Sequence, residues 1–364
     1  MTELESLYLK NKAWEVFNFS KPYFVQSIWL DKFRSFLPNA VSDIKNADCI
    51  FTWSDSNIER FKSILISKKI NLPIVVFEEP FLRSVDLYRN KNTTQYNNKY
   101  CMPCGFTYAN YAHYDIRGHG RLESLLTDKF IPLSEMQIKR SRYCIDKIVS
   151  NKLSKYNNQQ KDFIIDNSDY KILIVDQALG DQSVNLSGCN SDTFKEMLDS
   201  ALNITKNVYI KIHPEQLVGR RKGYFNFNIP NNEQVFVSKQ NYPTVKIIND
   251  YVNPISLLEK FDEVWTVSSQ LGFEALMLNK KVVCFGTPFY SGYGLTEDKA
   301  NTNTLKFRKT FNNHLTVEDI FYKTYIEYTT YCNPFNFKDL WQIEDVIDNL
   351  IRQLKTFPNW QLEW

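Results

Sequence analysis

Several common signatures are missing from this 364-residue chain, and each absence closes off a class of function. No apolar run approaches the roughly 18 residues that a membrane-spanning helix needs. No long basic run suggests nucleic acid: 44 Lys and Arg face 41 Asp and Glu, a formal charge of +3, and the short Arg220, Arg221, Lys222 cluster reads as a solvated loop. The seven cysteines are scattered and odd in number, which argues against a disulfide framework. Only Cys101 and Cys104, in CMPC, have metal-like spacing, and no second CxxC or nearby HxxxH supplies the further ligands zinc needs, so an ordinary turn is expected there and no metal. The chain starts with a polar, acidic segment rather than a signal peptide, so a cytoplasmic location is expected.

What is present is a folded α/β chain. Hydrophobic residues make up 43% and aromatics 15%, enough for sizeable cores, and the length suggests two domains of roughly 150 to 200 residues. Residues 48–53 and 72–79 read as strands with a helical segment, 57–68, between them. The Asn-rich stretch 90–99 reads as a mobile loop, 134–153 as a long helix, and 157–168 as the linker. Beyond it come strand 171–175, helix 192–202, strand 208–212, helix 255–261, strand 264–267 with its helix, and strand 281–285. This alternation implies parallel sheets with right-handed crossovers. The tail, 335–364, reads as a helical, aromatic-rich segment. Trp341, Phe357, Trp360 and Trp364 beside Arg352 and Lys355 suit either a membrane interface or packing against the first half.

Polar residues gather at the carboxyl ends of the expected strands, where open α/β sheets bind ligands. The first half offers Glu78 and Glu79. The second offers Asp176, Gln177 and Asp181, then Lys211, His213, Pro214 and Glu215, then Ser268 and Ser269. The two serines precede a helix whose first-turn donors could hold a phosphate, and the following GTPFYSGYG loop, 286–294, could fold closely over it. Carboxylates for nucleophilic or acid/base work, a histidine and a hydroxyl-lined phosphate site therefore converge. No Asp-x-Asp pair occurs anywhere. That disfavours a diphosphate held through a divalent metal and favours a metal-free site for a donor with a single phosphate.

The order EEPFLRSVDL, HYDIRGHGRLESLL, LSKYN, VDQALGDQSV, KIHPE, SSQLGFEAL with GTPFYSGYGLTED, and YCNP resembles the capsule polysaccharide biosynthesis family of retaining β-Kdo transferases over roughly residues 45–335. The resemblance implies a GT-B fold, two Rossmann-like domains facing a cleft: an acceptor-side domain over 1–160, a CMP-sugar-binding domain over 161–334, and a C-terminal helical segment, 335–364, crossing back to the first. It implies CMP-β-Kdo as donor, no cofactor, and a bacterial surface glycan or glycolipid as acceptor, with a place on the cytoplasmic face of the inner membrane if that acceptor is lipid-linked.

Carried over by position, the family's acidic residue falls on Glu78, since Glu79 and Pro80 depart from its Glu-Asp-Gly-Phe pattern. Asp86 stands where the family's Arg-Ser-Val-Gly pattern has glycine. The resemblance makes Asp181 the covalent nucleophile, Glu78 the general base or acceptor-orienting group, and His213, Pro214, Ser268, Ser269 and Gln177 the donor site. Glu274 is expected to receive ribose hydroxyls or the cytosine amine, and Lys211 and Arg83 to meet the Kdo carboxylate. Two rival readings use the same residues: transfer from another CMP-nonulosonate such as a sialic acid, and a non-catalytic partner in capsule assembly.

Overall fold

The computed structural model describes residues 22–24, 44–53, 72, 74–86, 100–166, 169–311 and 314–357; the expected helix 57–68, the loop 90–99, Trp360 and Trp364 lie outside them. Among the described residues the strands form two six-stranded sheets and a small pair.

The first sheet contains β1 (Pro22–Phe24), β2 (Cys49–Trp53), β3 (Ile74–Glu78) and β4 (Gly105–Ala109), joined by β13 (Thr329–Asn333) and β14 (Asn336–Trp341), in the order 1-2-3-4-13-14. Strands β1 to β3 are parallel, but β3/β4, β4/β13 and β13/β14 are antiparallel. The expectation of parallel sheets therefore fails for half of this one. The last of these pairings is made by the hairpin at Asn333, whose side chain accepts from Phe335 N–H at 3.0 Å where the chain turns back on itself.

The tail is thus a strand before it is a helix, and the chain rejoins the first sheet at Thr329. Only then does the helix Ile343–Leu354 begin. It buries Ile343, Val346, Ile347 and Leu350 in the same core as Cys144, Ile145 and Ile148 of the helix Glu135–Ser150, an i, i+3, i+4, i+7 stripe. Phe357 packs edge-on against Tyr100 at 5.1 Å. This aromatic residue of the tail therefore serves packing on the first half. Among the described residues no helix is long and apolar enough to cross a membrane.

The second sheet contains β5 (Ile172–Val175), β6 (Val208–Lys211), β9 (Lys246–Ile248), β10 (Glu263–Thr266), β11 (Lys281–Cys284) and β12 (Glu297–Asp298); the short pair is β7 (Phe225–Asn226) with β8 (Val235–Phe236). Its order is 12-11-10-5-6-9, parallel throughout. The Ile-Leu-Ile-Val and Glu-Val-Trp-Thr strands are fully buried, as a parallel sheet covered on both faces requires. After β5 the chain winds outward through β6 and β9, then returns to add β10 on the other side of β5. The point between β5 and β10 is a topological switch, where loops diverge and leave a crevice. Asp176 and Gln177 leave β5 at this point, and Ser268 and Ser269 follow β10.

The two halves share a core. Phe81 of the first half lies 5.0 Å from Phe289 and 5.1 Å from Tyr325, and Phe273 lies 5.7 Å from Tyr325. The segment expected as a linker begins buried: Asn157, Asn158 and Gln159 are at most 4% exposed. Asn157 donates from its main chain to Val85 O and from its side chain to Ser84 O, and Asn158 donates to Asp86 Oδ1. Its polarity satisfies the 84–86 loop rather than water. Asp86, in the glycine position, is thereby turned toward the crossing chain.

Candidate functional site

A cleft of about 640 Å³ opens between the halves, within the range of small-molecule sites. Asp181, Glu78, His213, Pro214, Ser268, Ser269, Glu274, Gln177 and Lys211 all line it. Residues from four strand ends and the helix after β10 thus meet in one place.

On the wall formed by the second sheet, Asp181 caps the short helix Gln182–Asn185, its Oδ1 accepting from Ser183 N–H at 2.9 Å and Ser183 Oγ at 2.7 Å. Oδ2 receives no hydrogen bond from the described residues. Gly180, just before it, has φ +74° with open space at its missing Cβ, so glycine is needed there for backbone conformation. Ser183 Oγ lies 2.9 Å from Ser268 Oγ. Gln177 closes the network across the switch point, donating to Ser268 Oγ at 3.1 Å and accepting from Ser268 N–H at 2.9 Å. Ser183 was not singled out by the sequence, although Asp-Gln-Ser is the spacing of a helix cap.

The main-chain donors after β10 are less open than expected. Ser269 N–H donates to Thr266 Oγ1 and Leu271 N–H to Ser269 Oγ, so an anion here would meet hydroxyls more than free amides. Gly272 admits Tyr290, whose hydroxyl would lie 2.1 Å from an added Cβ and donates to Ser269 O at 2.6 Å. The 286–294 loop is clamped from behind by the buried Arg308. Its guanidinium donates to Pro288 O, to Ser291 O and, across to the first half, to both oxygens of Glu123.

His213 caps the helix Pro214–Leu217, Nδ1 accepting from Glu215 N–H at 3.2 Å. Burial, reinforced by Lys211, pulls its pKa down to about 4. The ring is therefore neutral, and the hydrogen bond to Nδ1 assigns the proton to Nε2. Lys211 is buried, its pKa lowered to about 8 by burial despite Glu274 and Asp176. Asp176 is pushed up to about 8 by burial, partly offset by main-chain N–H groups including Tyr224 and Gln177. Its Oδ2 and Gln216 Oε1 both lack partners, and each would lie 2.1 Å from a Cβ on Gly223.

On the first half's wall, Glu78 Oε1 accepts from Tyr114 Oη at 2.5 Å. Glu79 is engaged differently: Arg83 Nε at 2.7 Å, Tyr156 Oη at 3.0 Å, and Lys155 Nζ at 3.9 Å. Burial opposes ionisation of Glu79, but Arg83 and Lys155 outweigh it and hold the carboxyl below its ordinary range. Of the two acids, both of which line the cleft, Glu79 is tied into an ion pair with Arg83 and Glu78 is bonded by Tyr114. His113, beside Tyr114 and 4.8 Å from Phe81, is depressed to about 3 by burial, and its Nδ1 has no partner.

Two expected roles change on this geometry. Arg83 is 2% exposed and bonded to Glu79, Ser84 Oγ and Cys101 O behind the wall; it does not line the cleft. Glu274 is 2% exposed, with both oxygens accepting from Ser154 Oγ at 2.9 and 2.8 Å and Oε1 also from Lys155 N–H. Burial raises its pKa to about 7 against those bonds. It ties the helix Leu271–Met277 to the crossing chain rather than offering itself to a ribose. Arg221, expected as solvated, lines the cleft mouth, donating to Leu179 O and lying 3.7 Å from Glu215.

Cys101 and Cys104 are buried, with Cys104 raised to about 12 by burial. Burial thus favours the neutral thiol of Cys104. Among the described residues no cluster of three or more His, Cys, Asp or Glu could hold a metal ion.

Comparison with known proteins agrees with the architecture. A solved structure of Thermosulfurimonas dismutans KpsC, beta Kdo 2,4 transferase, superposes with a TM-score of 0.74 at 30% identity, covering 91% of this chain and 98% of that one. The beta Kdo 2,7 transferase of the same KpsC superposes with a TM-score of 0.62 at 18% identity, which speaks for the fold alone. The fold is GT-B-like. Among curated proteins, the capsule polysaccharide modification protein LipA of Neisseria meningitidis is 29% identical over 321 residues, covering 85% of this chain. The lipopolysaccharide-processing protein LpsZ of Rhizobium meliloti is 31% identical over 304, covering 79%. The chain spans 42% and 62% of the length of these two relatives. The family described as capsule polysaccharide biosynthesis protein matches residues 48–331, and the chain belongs to that family.

Proposed function

We propose that the chain is a retaining β-Kdo glycosyltransferase that moves Kdo from CMP-β-Kdo to a bacterial surface glycan or glycolipid by double displacement through Asp181. The observation that carries this reading is the Asp181–Ser183–Ser268–Gln177 hydrogen-bond chain. It couples a carboxylate with one open oxygen to the hydroxyl beside which a leaving phosphate would sit.

Kdo has a quaternary anomeric carbon bearing a carboxylate. In this mechanism Asp181 Oδ2 attacks that carbon, the bond to the phosphate oxygen breaks, and the electron pair leaves with CMP. Neutral His213, through Nε2–H, and the Ser268 and Ser269 hydroxyls stabilise the phosphate charge. The acceptor hydroxyl then attacks the same carbon, its proton passes to Glu78, and the bond to Asp181 breaks, returning the carboxylate. Two inversions give net retention. Tyr114 orients Glu78 for the second step.

The reading needs no metal or other cofactor. It places the protein in the cytoplasm, or peripherally on the cytoplasmic face of the inner membrane when the acceptor is lipid-linked. The rival donor class, a sialic-acid-like CMP sugar, is separated by comparing donors directly. For a non-catalytic partner nothing would require Asp181 and His213 in one cleft.

The test is transfer from CMP-Kdo to a panel of glycan acceptors in EDTA, read by mass, with Asp181→Ala beside the wild type. The wild type should transfer with retention and, with a poor acceptor, gain one Kdo on the peptide containing Asp181, while Asp181→Ala loses transfer and keeps donor binding. An inverted product, or an Asp181→Ala protein that keeps most of its turnover, would refute double displacement at Asp181.

A further inference from the structure

The proposed donor carries two anions, a phosphate and a sugar carboxylate, and of the two residues expected to meet the carboxylate one is committed elsewhere and the other is buried in the second wall. Arg83 is locked behind the wall by Glu79. Lys211 is 5% exposed at the end of β6, where burial lowers its pKa to about 8 despite Glu274 and Asp176, so burial works against its charge. Arg221 stands at the mouth, with Glu215 3.7 Å away. Lys155 remains.

Its main chain is pinned from both halves: its N–H donates to Glu274 Oε1 at 3.3 Å, and its carbonyl accepts from Arg83 N–H at 3.2 Å. Its side chain is 28% exposed and lines the cleft, with Nζ 5.5 Å from the Tyr156 ring centroid. The nearest carboxylate, Glu79 Oε2 at 3.9 Å, is already served by Tyr156, and Glu79 Oε1 by Arg83. The charge of Lys155 acts on both His113 of the first wall and His213 of the second. Bonded through its main chain to Glu274 of the second half and Arg83 of the first, the lysine stands where the two halves meet along the cleft.

We infer that Lys155 is the specificity-determining residue that reads the carboxylate of the transferred sugar, a point contact on a carboxylate by an ammonium held from both halves. The inference rests on the donor reading above. Because the carboxylate stays on the sugar after CMP departs, Lys155 would hold donor, adduct and product alike. A contact made equally throughout raises KM when lost more than it lowers kcat.

The test uses the full chain and three probes in ligand-observed NMR: CMP, the non-transferable sugar acid 2-deoxy-Kdo, and its C1 carboxamide. Wild type should bind the acid at least tenfold better than the amide. Lys155→Met should bind CMP within twofold of wild type, lose tenfold or more in affinity for the acid, and no longer distinguish acid from amide; Lys155→Arg should keep part of the preference. With CMP-Kdo, KM should rise more than kcat falls. A Lys155→Met protein that still prefers the acid overturns the inference, as does parallel loss of CMP binding, which would assign the lysine to the phosphate. Wild type that binds neither CMP nor the acid removes the donor reading itself, a result distinct from both.

Discussion

The two nitrogens of His213 have separate jobs, and two substitutions separate them. Nδ1 accepts the helix-capping bond from Glu215, while in the proposed mechanism Nε2–H is the neutral donor to the phosphate. His213→Asn keeps an acceptor near Nδ1 and removes the Nε2 donor; His213→Gln extends an amide N–H toward the Nε2 position and gives up the cap. A hydrogen bond to a charged group is worth about 1.5 to 3 kcal/mol, so His213→Asn should slow CMP-Kdo turnover roughly tenfold to more than a hundredfold. Its melting temperature should change little. His213→Gln should retain more turnover and lose about 1 kcal/mol of stability with the cap.

The pH dependence adds a second readout. A folded pKa near 4 keeps the ring neutral through the assay range, so kcat between pH 5.5 and 8 should show no acid limb from this residue. Because the folded value lies below the unfolded one, stability from the neutral ring is present above pH 6.5 and lost as pH falls toward 4. His213→Asn should flatten that fall. Turnover by His213→Asn within twofold of wild type, or an acid limb near pH 6.5 that the substitution abolishes, would refute the neutral-donor assignment.

Asp176 provides the opposite case: its folded pKa of about 8 means the unfolded chain ionises first, so stability should decline as pH rises from about 4 to 8 and then level off. Asp176→Asn should be more stable than wild type at pH 7.5 in urea melts, its amide able to donate toward Gln216 Oε1; lower stability at that pH would show that the ionised carboxylate is the native form. Arg308→Met leaves the half-buried Glu123 with only the long bond from Tyr293 Oη and should cost about 3 kcal/mol, the lower end for a broken buried pair. Arg308→Met with Glu123→Gln should recover part of that loss in a double-mutant cycle, and strict additivity would count against the ion pair as the cause.

The lining of the cleft was more legible in the sequence than the strand directions of the first sheet. Asp181, His213 and Ser268 each follow a short apolar strand, a local pattern that needs no knowledge of the partner, and all three line the cleft. What stayed hidden depends on contacts distant along the chain. Glu274 is occupied by Ser154, 120 residues away, and Tyr114 reaches Glu78 across 36. Lys155 is part of the LSKYN motif, which carried family resemblance but no assigned role, and its position comes from main-chain bonds to both halves. The antiparallel half of the first sheet was missed because Gly105–Ala109 is buried throughout and shows no alternation, while the tail strand Asn336–Trp341 lies just before an amphipathic helix whose periodicity dominates the segment.

The aromatic contacts of Phe81 with Phe289 and Tyr325 beneath the cleft bear on how such proteins can be recombined. Two-lobed transferases invite chimaeras in which the lobe that binds the donor is exchanged against a lobe that chooses the acceptor. Here a graft at the 157–168 crossing would cut through a common interior, leaving ring faces on each lobe opposite strangers and forfeiting packing at native density. On the proposed function, acceptor choice is therefore better altered residue by residue along the wall carrying Glu78, His113 and Tyr114 than by transplanting a lobe.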